Sequence, residues 1–345
     1  MYEKFYGLRE LPFELTPNPK FLFLPPRHRE ALSNLHYGLS SAKPITVLIG
    51  EAGTGKTTLL RTALASEQCR HVRCVYLSNP ALSRDDFVRM LAIRFDLSAE
   101  ARESKAVLLD ELERMLRYRR ELEGEITALV VDEAQSLSIE LLEELRLLAN
   151  VETSTEKLLP LVLAGQPELR DRLDDPGLRQ LKQRVALRCE IAPFELQETA
   201  AYIASRVGTA GGEASRLFTR EAVTLIHEYS GGIPRTISVL CDNALLNGMA
   251  LGRQPVDRAI VLEVGRDFCL SARGEAPQPP HARTAPVDEG GGVMPEPVAE
   301  GSVPSDVEKA DRPELFDRVS RPGRFAWFHR GGRNRFPKPA EVLSE

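Results

Sequence analysis

Residues 50–57 match the pattern Gly-x-x-x-x-Gly-Lys-Thr, and their types suit the binding of a triphosphate. Glycines permit positive φ angles and bring the main chain close to phosphate oxygens, with several N–H groups facing one concavity. Lys56 would reach the β and γ phosphates, and Thr57 would offer its hydroxyl to Mg²⁺. The helix that follows would point its positive end at the same anion. The residues predicted to bind ATP are Gly50, Glu51, Ala52, Gly53, Thr54, Gly55, Lys56, Thr57 and Thr58.

The neighbouring residues supply the context that a phosphate loop needs. Residues 44–49 are a short apolar, β-branched run that ends at a glycine, as buried parallel strands do. Residues 58–65 favour a helix. A loop of this pattern between a strand and a helix is interpreted as a true phosphate site and not as a glycine turn with a chance lysine.

A second stretch ends in two adjacent carboxylates. Residues 127–131 form a continuous apolar run, and Asp132 and Glu133 follow it. Acids at the carboxyl end of a buried strand are costly unless a cation or a reaction uses them, and open α/β sheets bind ligands at that edge. Asp132 is predicted to hold Mg²⁺ with Thr57, directly or through water, and Glu133 to activate the attacking water. Together the two stretches predict Mg²⁺-dependent ATP hydrolysis.

Three further side chains are candidates for the same chemistry. Gln166 follows an apolar run at 160–165 and could hold the attacking water or sense the γ phosphate, although a turn residue is the alternative. Arg184 is chosen from the arginine-rich stretch 178–188 because a guanidinium stabilises charge on a transferring phosphoryl group. Arg235 opens a helix, where it opposes the helix dipole, so a nucleotide phosphate is its predicted partner. An ordinary surface arginine is the alternative there.

The order of apolar patterns predicts the fold class. Strands and helices alternate up to about residue 193, which indicates an α/β fold with a parallel sheet and flanking helices. Only helical patterns follow, over 194–270, and predict a small all-α domain. Residues 1–27 mix aromatic residues with prolines and are predicted to form an arm of the first domain. The arm is expected either to cover an apolar surface or to form a wall of the adenine pocket.

The last part of the chain differs in composition. Residues 271–345 are rich in proline and glycine and are predicted to form a disordered tail. Within it, residues 318–338 carry several basic residues and no acid, around the aromatic run Phe325–Phe328. This pattern suits a partner groove, an anionic membrane surface or nucleic acid. The alternative is an inert, solvated end.

Composition limits the classes of partner and compartment. The 345 residues include 45 Lys+Arg and 50 Asp+Glu, a formal charge of -5, so nucleic-acid binding by the whole molecule is not favoured. The five cysteines form no CxxC pair, which suggests reduced thiols. There is no signal-peptide pattern and no long apolar run. We therefore expect a cytoplasmic protein without a transmembrane segment, which partners could bring to the inner membrane.

As a set, these motifs resemble those of AAA+ ATPases. Residues 50–57 correspond to Walker A, 129–133 to Walker B, Gln166 to sensor 1, Arg184 to the arginine finger and Arg235 to the sensor 2 arginine of a helical lid. More narrowly, the chain resembles the ExeA/GspA-like ATPases of secretion, pilus and exopolysaccharide systems. The residues that carry this narrower resemblance are Phe5-Tyr6-Gly7-Leu8, Pro12-Phe13, Pro17-Asn18-Pro19, His28 to Leu32, Asp132-Glu133-Ala134-Gln135, Gly165-Gln166-Pro167-Glu168-Leu169 and Gly232-Ile233-Pro234-Arg235.

The resemblance implies a biological setting. It implies an ATP-driven assembly or regulatory factor of an export system, with an inner-membrane or secretion component as partner and ATP-promoted homo-oligomers in which Arg184 serves a neighbouring subunit. Secretion-type members usually continue into a membrane span and a peptidoglycan-binding domain, which this sequence lacks, so a soluble relative is expected. The alternative is a transposition-type ATPase that binds DNA and recruits a transposase. A DEAD-type helicase is disfavoured because no second RecA-like domain is present.

Overall fold

A single parallel sheet organises the first part of the computed structural model, which describes residues 1–16, 18–78 and 82–268. Its strand order is β2-β3-β4-β1-β5. Every residue of the three central strands is buried, because helices cover both faces of the sheet. The predicted α/β class is confirmed. The strands are β1 (Ile45–Gly50), β2 (Val72–Leu77), β3 (Ile126–Val131), β4 (Leu161–Gly165) and β5 (Val185–Ile191).

Helices connect the strands and build a core on each face. Successive residues of β1 point to opposite faces, so Val47 belongs to one core layer and Leu48 to the other. The α-helices of this part are α1 (Glu3–Tyr6), α2 (Pro26–Ser40), α3 (Lys56–Leu64), α4 (Arg84–Arg94), α5 (Ala99–Glu103), α6 (Lys105–Tyr118), α7 (Ile139–Leu148), α8 (Glu168–Leu173) and α9 (Arg179–Lys182). Short 3₁₀ turns cover Pro19–Phe21, Glu67–Cys69, Ala134–Ser136 and Pro176–Leu178, and a π-helical turn covers Arg119–Glu123.

The sheet register decides which sequence motifs meet. Ile49 pairs with Gly165, and Val131 pairs with Leu163, so β1, β3 and β4 end at the same edge. The phosphate loop, the two acids after β3 and Gln166 after β4 therefore share that edge. This is the edge where open parallel sheets bind ligands.

After β5, the regular elements of the described residues are helices. They are α10 (Leu196–Thr209), α11 (Ala214–Leu217), α12 (Arg220–Ser230), α13 (Pro234–Ala250) and α14 (Arg258–Asp267). We call residues 196–267 the helical region. Its buried side chains form an apolar core of their own with residues of the N-terminal arm.

The N-terminal arm packs on the helical region. Tyr2, Tyr6 and Phe13 are buried in the core of that region. The Tyr6 hydroxyl donates to the Leu245 carbonyl at 3.1 Å, and the Arg9 N–H donates to the Ala210 carbonyl at 2.8 Å. The domain boundaries stay a prediction. The sequence pattern predicts an arm of the α/β domain, whereas the structure places the arm's buried aromatic side chains among the helices. The predicted tail, 271–345, and its basic-aromatic stretch lie outside the described residues.

The junction between β5 and the helical region depends on a glycine. Gly232 has a φ of 76°, and a Cβ on it would lie 2.1 Å from the Phe194 carbonyl oxygen. Gly252, just after α13, also has a positive φ, 62°, but a Cβ there would meet nothing within 4 Å. Substitution at Gly252 would therefore introduce backbone strain alone, whereas substitution at Gly232 would introduce both strain and a steric clash.

Gly232→Ala should destabilise the protein more than Gly252→Ala. The left-handed backbone alone should cost about 1 kcal/mol of unfolding free energy at Gly252. The added clash with main-chain atoms should bring the loss at Gly232 to about 3 kcal/mol. Urea denaturation of both variants measures these free energies of unfolding. Equal losses would mean that the junction around Phe194 yields to the added methyl group.

Candidate nucleotide-binding site

The phosphate loop has the backbone that its glycines predict. Gly53 and Gly55 have φ angles of 82° and 102°, in the left-handed region that favours glycine. A Cβ on Gly55 would meet nothing within 4 Å, so there is open space beside the main chain at this position. Gly55 is also the N-cap residue, directly before α3 begins at Lys56. The first N–H groups of the helix, which lack partners within the helix, therefore belong to the loop.

Lys56 lies folded over its own loop. Its Nζ donates to the carbonyl oxygens of Gly50 at 2.8 Å and Glu51 at 3.0 Å. Burial lowers the pKa of Lys56, while the charges of Glu133 and Asp132 act in the opposite direction. An ammonium group has three hydrogens to donate, and contacts with described residues use two. The third can serve a phosphate oxygen.

Asp132 is held by two hydroxyl groups. The Thr57 hydroxyl donates to Asp132 Oδ2 at 2.7 Å, and the Tyr76 hydroxyl donates to the same oxygen at 2.5 Å. Burial, with the neighbouring Asp132, raises the pKa of Tyr76, so the phenol stays a donor. Tyr76 is not among the residues predicted from the sequence. Its place next to the end of β2, opposite Val130 of β3, is the signal that could have indicated it.

The oxygen donors around Asp132 fit Mg²⁺. The cation prefers hard oxygen ligands and in nucleotide sites takes one or two from the protein and the rest from phosphates and water. Thr57 and Asp132 supply a hydroxyl and a carboxylate within hydrogen-bonding distance of each other. The described ranges contain no cluster of three or more His, Cys, Asp or Glu side chains suited to a metal. The two protein donors would suit a cation that takes its other ligands from a nucleotide and water.

Glu133 is fixed by two amide side chains. Gln135 Nε2 donates to Glu133 Oε2 at 2.6 Å, and Gln166 Nε2 approaches the same oxygen at 3.3 Å. The Gln166 N–H in turn donates to Gln135 Oε1 at 3.1 Å. Glu133 itself has a φ of 56°, which is uncommon for a residue with a side chain. The structure thus brings Glu133 and Gln166 together, with Gln135 as their link.

Gln135 was noted in the sequence only for its family resemblance, and the fold gives it a role in this network. Its main chain is also anchored, because Arg172 Nη1 donates to the carbonyl oxygens of Gln135 and Leu137. Arg172 lies in α8, directly after β4. The turn that carries the two acids is therefore tied to the turn that carries Gln166.

Arg235 lies beside the phosphate loop. Its backbone N–H donates to the Gly53 carbonyl at 3.3 Å, and its side chain lines the same cleft as Lys56. The guanidinium is exposed and forms no salt bridge with another residue of the described ranges. Arg235 thus lies beside the predicted phosphate loop, and its contact with a nucleotide phosphate stays a prediction.

Arg184 lies at the amino ends of the strands, opposite the carboxyl ends that hold the phosphate loop. It precedes Val185, which pairs with Ile45 at the amino end of β1. The six residues of β1 separate that end from Gly50 by about 17 Å. Arg184 Nε is buried and has no hydrogen-bond partner among the described residues. Arg184 therefore does not reach the phosphate loop of its own chain.

A cleft of about 410 Å³ joins the loop to the arm and the helical region. That volume is typical of a small-molecule site. Arm residues 21–24 line it together with Phe194 and Tyr202, and the rings of Phe23 and Phe194 lie 5.7 Å apart. The first residues of the arm cover the helical core, as one of the two expectations had it, and its last ones line the cleft. That this part of the cleft receives adenine stays a prediction.

Arg206 fastens the arm to α10. Its guanidinium donates to the Glu14 carbonyl at 3.1 Å and to the Tyr202 hydroxyl at 2.6 Å, and it lies 5.1 Å from the centre of the Phe21 ring. Arg206 also donates to the Pro12 carbonyl. The sequence contains no local pattern that indicates this contact, since its partners are 192 and 194 residues away along the chain.

Comparisons with known proteins show which family the chain is similar to. Residues 39–173 match the family model described as AAA domain. The chain is 40% identical over 256 residues to General secretion pathway protein A of Aeromonas hydrophila, a match that covers 74% of this chain and 46% of that relative. The chain therefore spans about half the length of the curated relative it matches.

Two solved structures share the fold. The Aeropyrum pernix ORC2 protein in its ADPNP–ADP complexes is 16% identical with a TM-score of 0.54, over 76% of this chain and 72% of that one. Drosophila ORC bound to DNA is 19% identical with a TM-score of 0.57, over 76% of this chain and 65% of that one. Identities this low establish the fold alone.

The parallel sheet, the phosphate loop and the AAA domain match define the chain as an AAA+ protein. Within that class it belongs to the ExeA/GspA-like family that its motifs predicted, because its sequence match extends beyond the AAA domain to 256 residues. None of the helices in the described ranges has the length and apolar character needed to cross a membrane.

Proposed function

We propose that the chain hydrolyses ATP with Mg²⁺ and uses the cycle to assemble or regulate a bacterial secretion, pilus or exopolysaccharide export system. The observation that supports hydrolysis most directly is the position of Glu133, which lines the same cleft as Lys56 and is held there by Gln135 and Gln166. A carboxylate beside a phosphate loop can accept the proton of an attacking water.

The roles of the residues follow from their positions. Main-chain N–H groups of the loop and the Lys56 ammonium bind the phosphates. Thr57 and Asp132 would hold Mg²⁺, which would neutralise negative charge on the phosphates. The Gln166 amide positions a water molecule. As the oxygen of this water attacks the γ phosphorus, Glu133 accepts a proton from the water. The bond from the γ phosphorus to the bridging oxygen breaks, which leaves ADP and phosphate.

Two arginines complete the proposed site from different places. Arg235 contacts the phosphates from the helical region of the same chain, so nucleotide binding changes how that region sits on the loop. Arg184 can act only on a neighbouring subunit, because about 17 Å of β1 separates it from its own loop. The active form is accordingly an ATP-promoted homo-oligomer with composite sites.

The export role is supported by the 40% identity to General secretion pathway protein A. Since the chain spans less than half of that relative, its partner is inferred here only as a class: an inner-membrane component of an export system. On this proposal the protein works in the cytoplasm, peripheral to the membrane through that partner.

The function is tested in two assays. Phosphate release by the purified protein should require Mg²⁺, stop with EDTA and be indifferent to duplex DNA. In the source bacterium, deletion of the gene should lower export, and the wild-type gene should restore it while Lys56→Ala does not. Strong stimulation by DNA, with export unchanged in the deletion strain, would replace this proposal with the transposition-type ATPase.

A further inference from the structure

We propose that His28 is a positioning residue that sets the orientation of the phosphate loop. The inference rests on the proposed nucleotide site and assigns a role to a side chain outside the phosphate-loop motif. His28 lies in the first turn of α2 and is only 4% exposed. Its Nε2 lies 3.0 Å from the carbonyl oxygen of Thr54, in the middle of the loop.

The direction of this hydrogen bond is determined by the acceptor. A carbonyl oxygen can only accept, so His28 Nε2 carries the proton and donates it. Burial lowers the pKa of His28, and the Thr54 carbonyl and the charge of Glu198 oppose that shift. The neutral ring with its proton on Nε2 is sufficient to make the contact.

The Thr54 carbonyl has no other partner of the usual kind. In a continuous helix it would accept from the N–H four residues later, that of Thr58. Here no backbone N–H of the described ranges donates to it, and the first such bond of α3 runs from Leu59 N–H to the Gly55 carbonyl at 2.9 Å. His28 therefore takes the place of a helical turn at the point where the loop becomes α3.

This contact orients the next N–H group. The carbonyl of Thr54 and the N–H of Gly55 belong to one planar trans peptide and point in opposite directions. Holding the carbonyl against α2 consequently turns the Gly55 N–H away from α2. Gly55 tolerates the arrangement because its φ of 102° costs a glycine little. A free N–H at the start of a helix is what a phosphate oxygen requires.

The ring of His28 is itself held in place. It packs against Phe194, with ring centres 5.3 Å apart and planes at 57°. The Phe194 N–H donates to the Gly232 carbonyl at 2.8 Å, which links this ring to the entry of α13. His28 therefore lies between the loop and the segment that joins the sheet to the helical region.

Asparagine and glutamine at position 28 form a matched pair for the test. Both have an amide donor. The glutamine nitrogen falls near the position of Nε2. The asparagine side chain is shorter, so its nitrogen falls near Nδ1 and does not reach Thr54. His28→Phe keeps the ring and removes the donor. The measurements are the Kd for a fluorescent ATP analogue with Mg²⁺, the KM and kcat of phosphate release, and thermal unfolding without nucleotide.

His28→Asn and His28→Phe should raise Kd and KM about tenfold, while kcat changes less than about threefold, because the loss of one buried donor affects phosphate binding. His28→Gln should stay within about threefold of the wild type in Kd. Equal Kd values for folded Asn and Gln variants would overturn the proposal. This comparison decides the question even if the Phe variant fails to fold. Wild-type protein that binds no ATP would instead refute the nucleotide site, and His28 with it.

Discussion

Glu133→Gln should lower the rate of ATP hydrolysis by about 10²- to 10⁴-fold while ATP binding persists. Glutamine has the shape of glutamate, and its amide oxygen can still accept the hydrogen bonds that Gln135 and Gln166 donate to Glu133 Oε2. It cannot accept the proton that leaves the attacking water. The loss should therefore fall on kcat, measured by phosphate release at saturating ATP, with the Kd for ATP close to that of the wild type.

Glu140→Gln is the matched control for this substitution. Glu140 is an exposed residue at the start of α7 and does not line the cleft. The same chemical change there should leave turnover within about twofold of the wild type, since surface substitutions away from a site have small effects. Unchanged turnover in Glu133→Gln would remove Glu133 from the mechanism. The attacking water would then have no assigned base.

Arg184→Ala should reduce turnover by about 10³-fold or more, the usual effect of losing an arginine that stabilises a transferring phosphoryl group. Its placement at the amino end of β5 makes a specific further prediction. Mixing Arg184→Ala with Glu133→Gln protein should restore activity, because a site then forms from an intact Glu133 and a neighbour's intact Arg184. With random mixing in equal amounts, about a quarter of the sites in a closed ring should be whole.

Arg179→Ala is the control for the mixing experiment. Arg179 is exposed on α9, five residues before Arg184, and the same substitution there should leave turnover nearly unchanged. Mixtures of Arg179→Ala with Glu133→Gln should show only the activity of the Arg179→Ala subunits. No recovery in the Arg184→Ala mixture would argue against a composite site. Recovery of activity that appears only in the Arg179→Ala mixture would assign the role of arginine finger to Arg179 in α9.

Local sequence pattern was sufficient to predict the fold class and which motifs meet at one edge of the sheet. The strands β1 and β3 are covered on both faces, so each reads as an unbroken apolar run, and a glycine or a carboxylate marks where it ends. In a parallel sheet all carboxyl ends meet at one edge, so Gly50, Asp132 and Gln166 could be placed together before their contacts were known. The family comparisons confirm that class.

Long-range contacts could not be predicted in the same way. Tyr76 reaches Asp132 across 56 residues, His28 reaches Thr54 across 26, and Arg206 reaches the arm across more than 190. None of the three side chains carries a local pattern that names its partner. Each one could equally have been a surface or core residue of its own helix or strand.

The arm shows the same limit on a larger scale. Its aromatic residues and prolines indicate an extended segment that packs somewhere, but apolar burial has no direction and does not specify a surface. Only the folded chain places Tyr6 and Phe13 among the helices and Phe21 and Phe23 in the cleft. Residue types and spacing thus predicted which side chains meet at the centre and what chemistry to expect of them, because those signals are local. Which side chains hold that centre in position was decided by tertiary packing, because it joins segments that are distant in the chain.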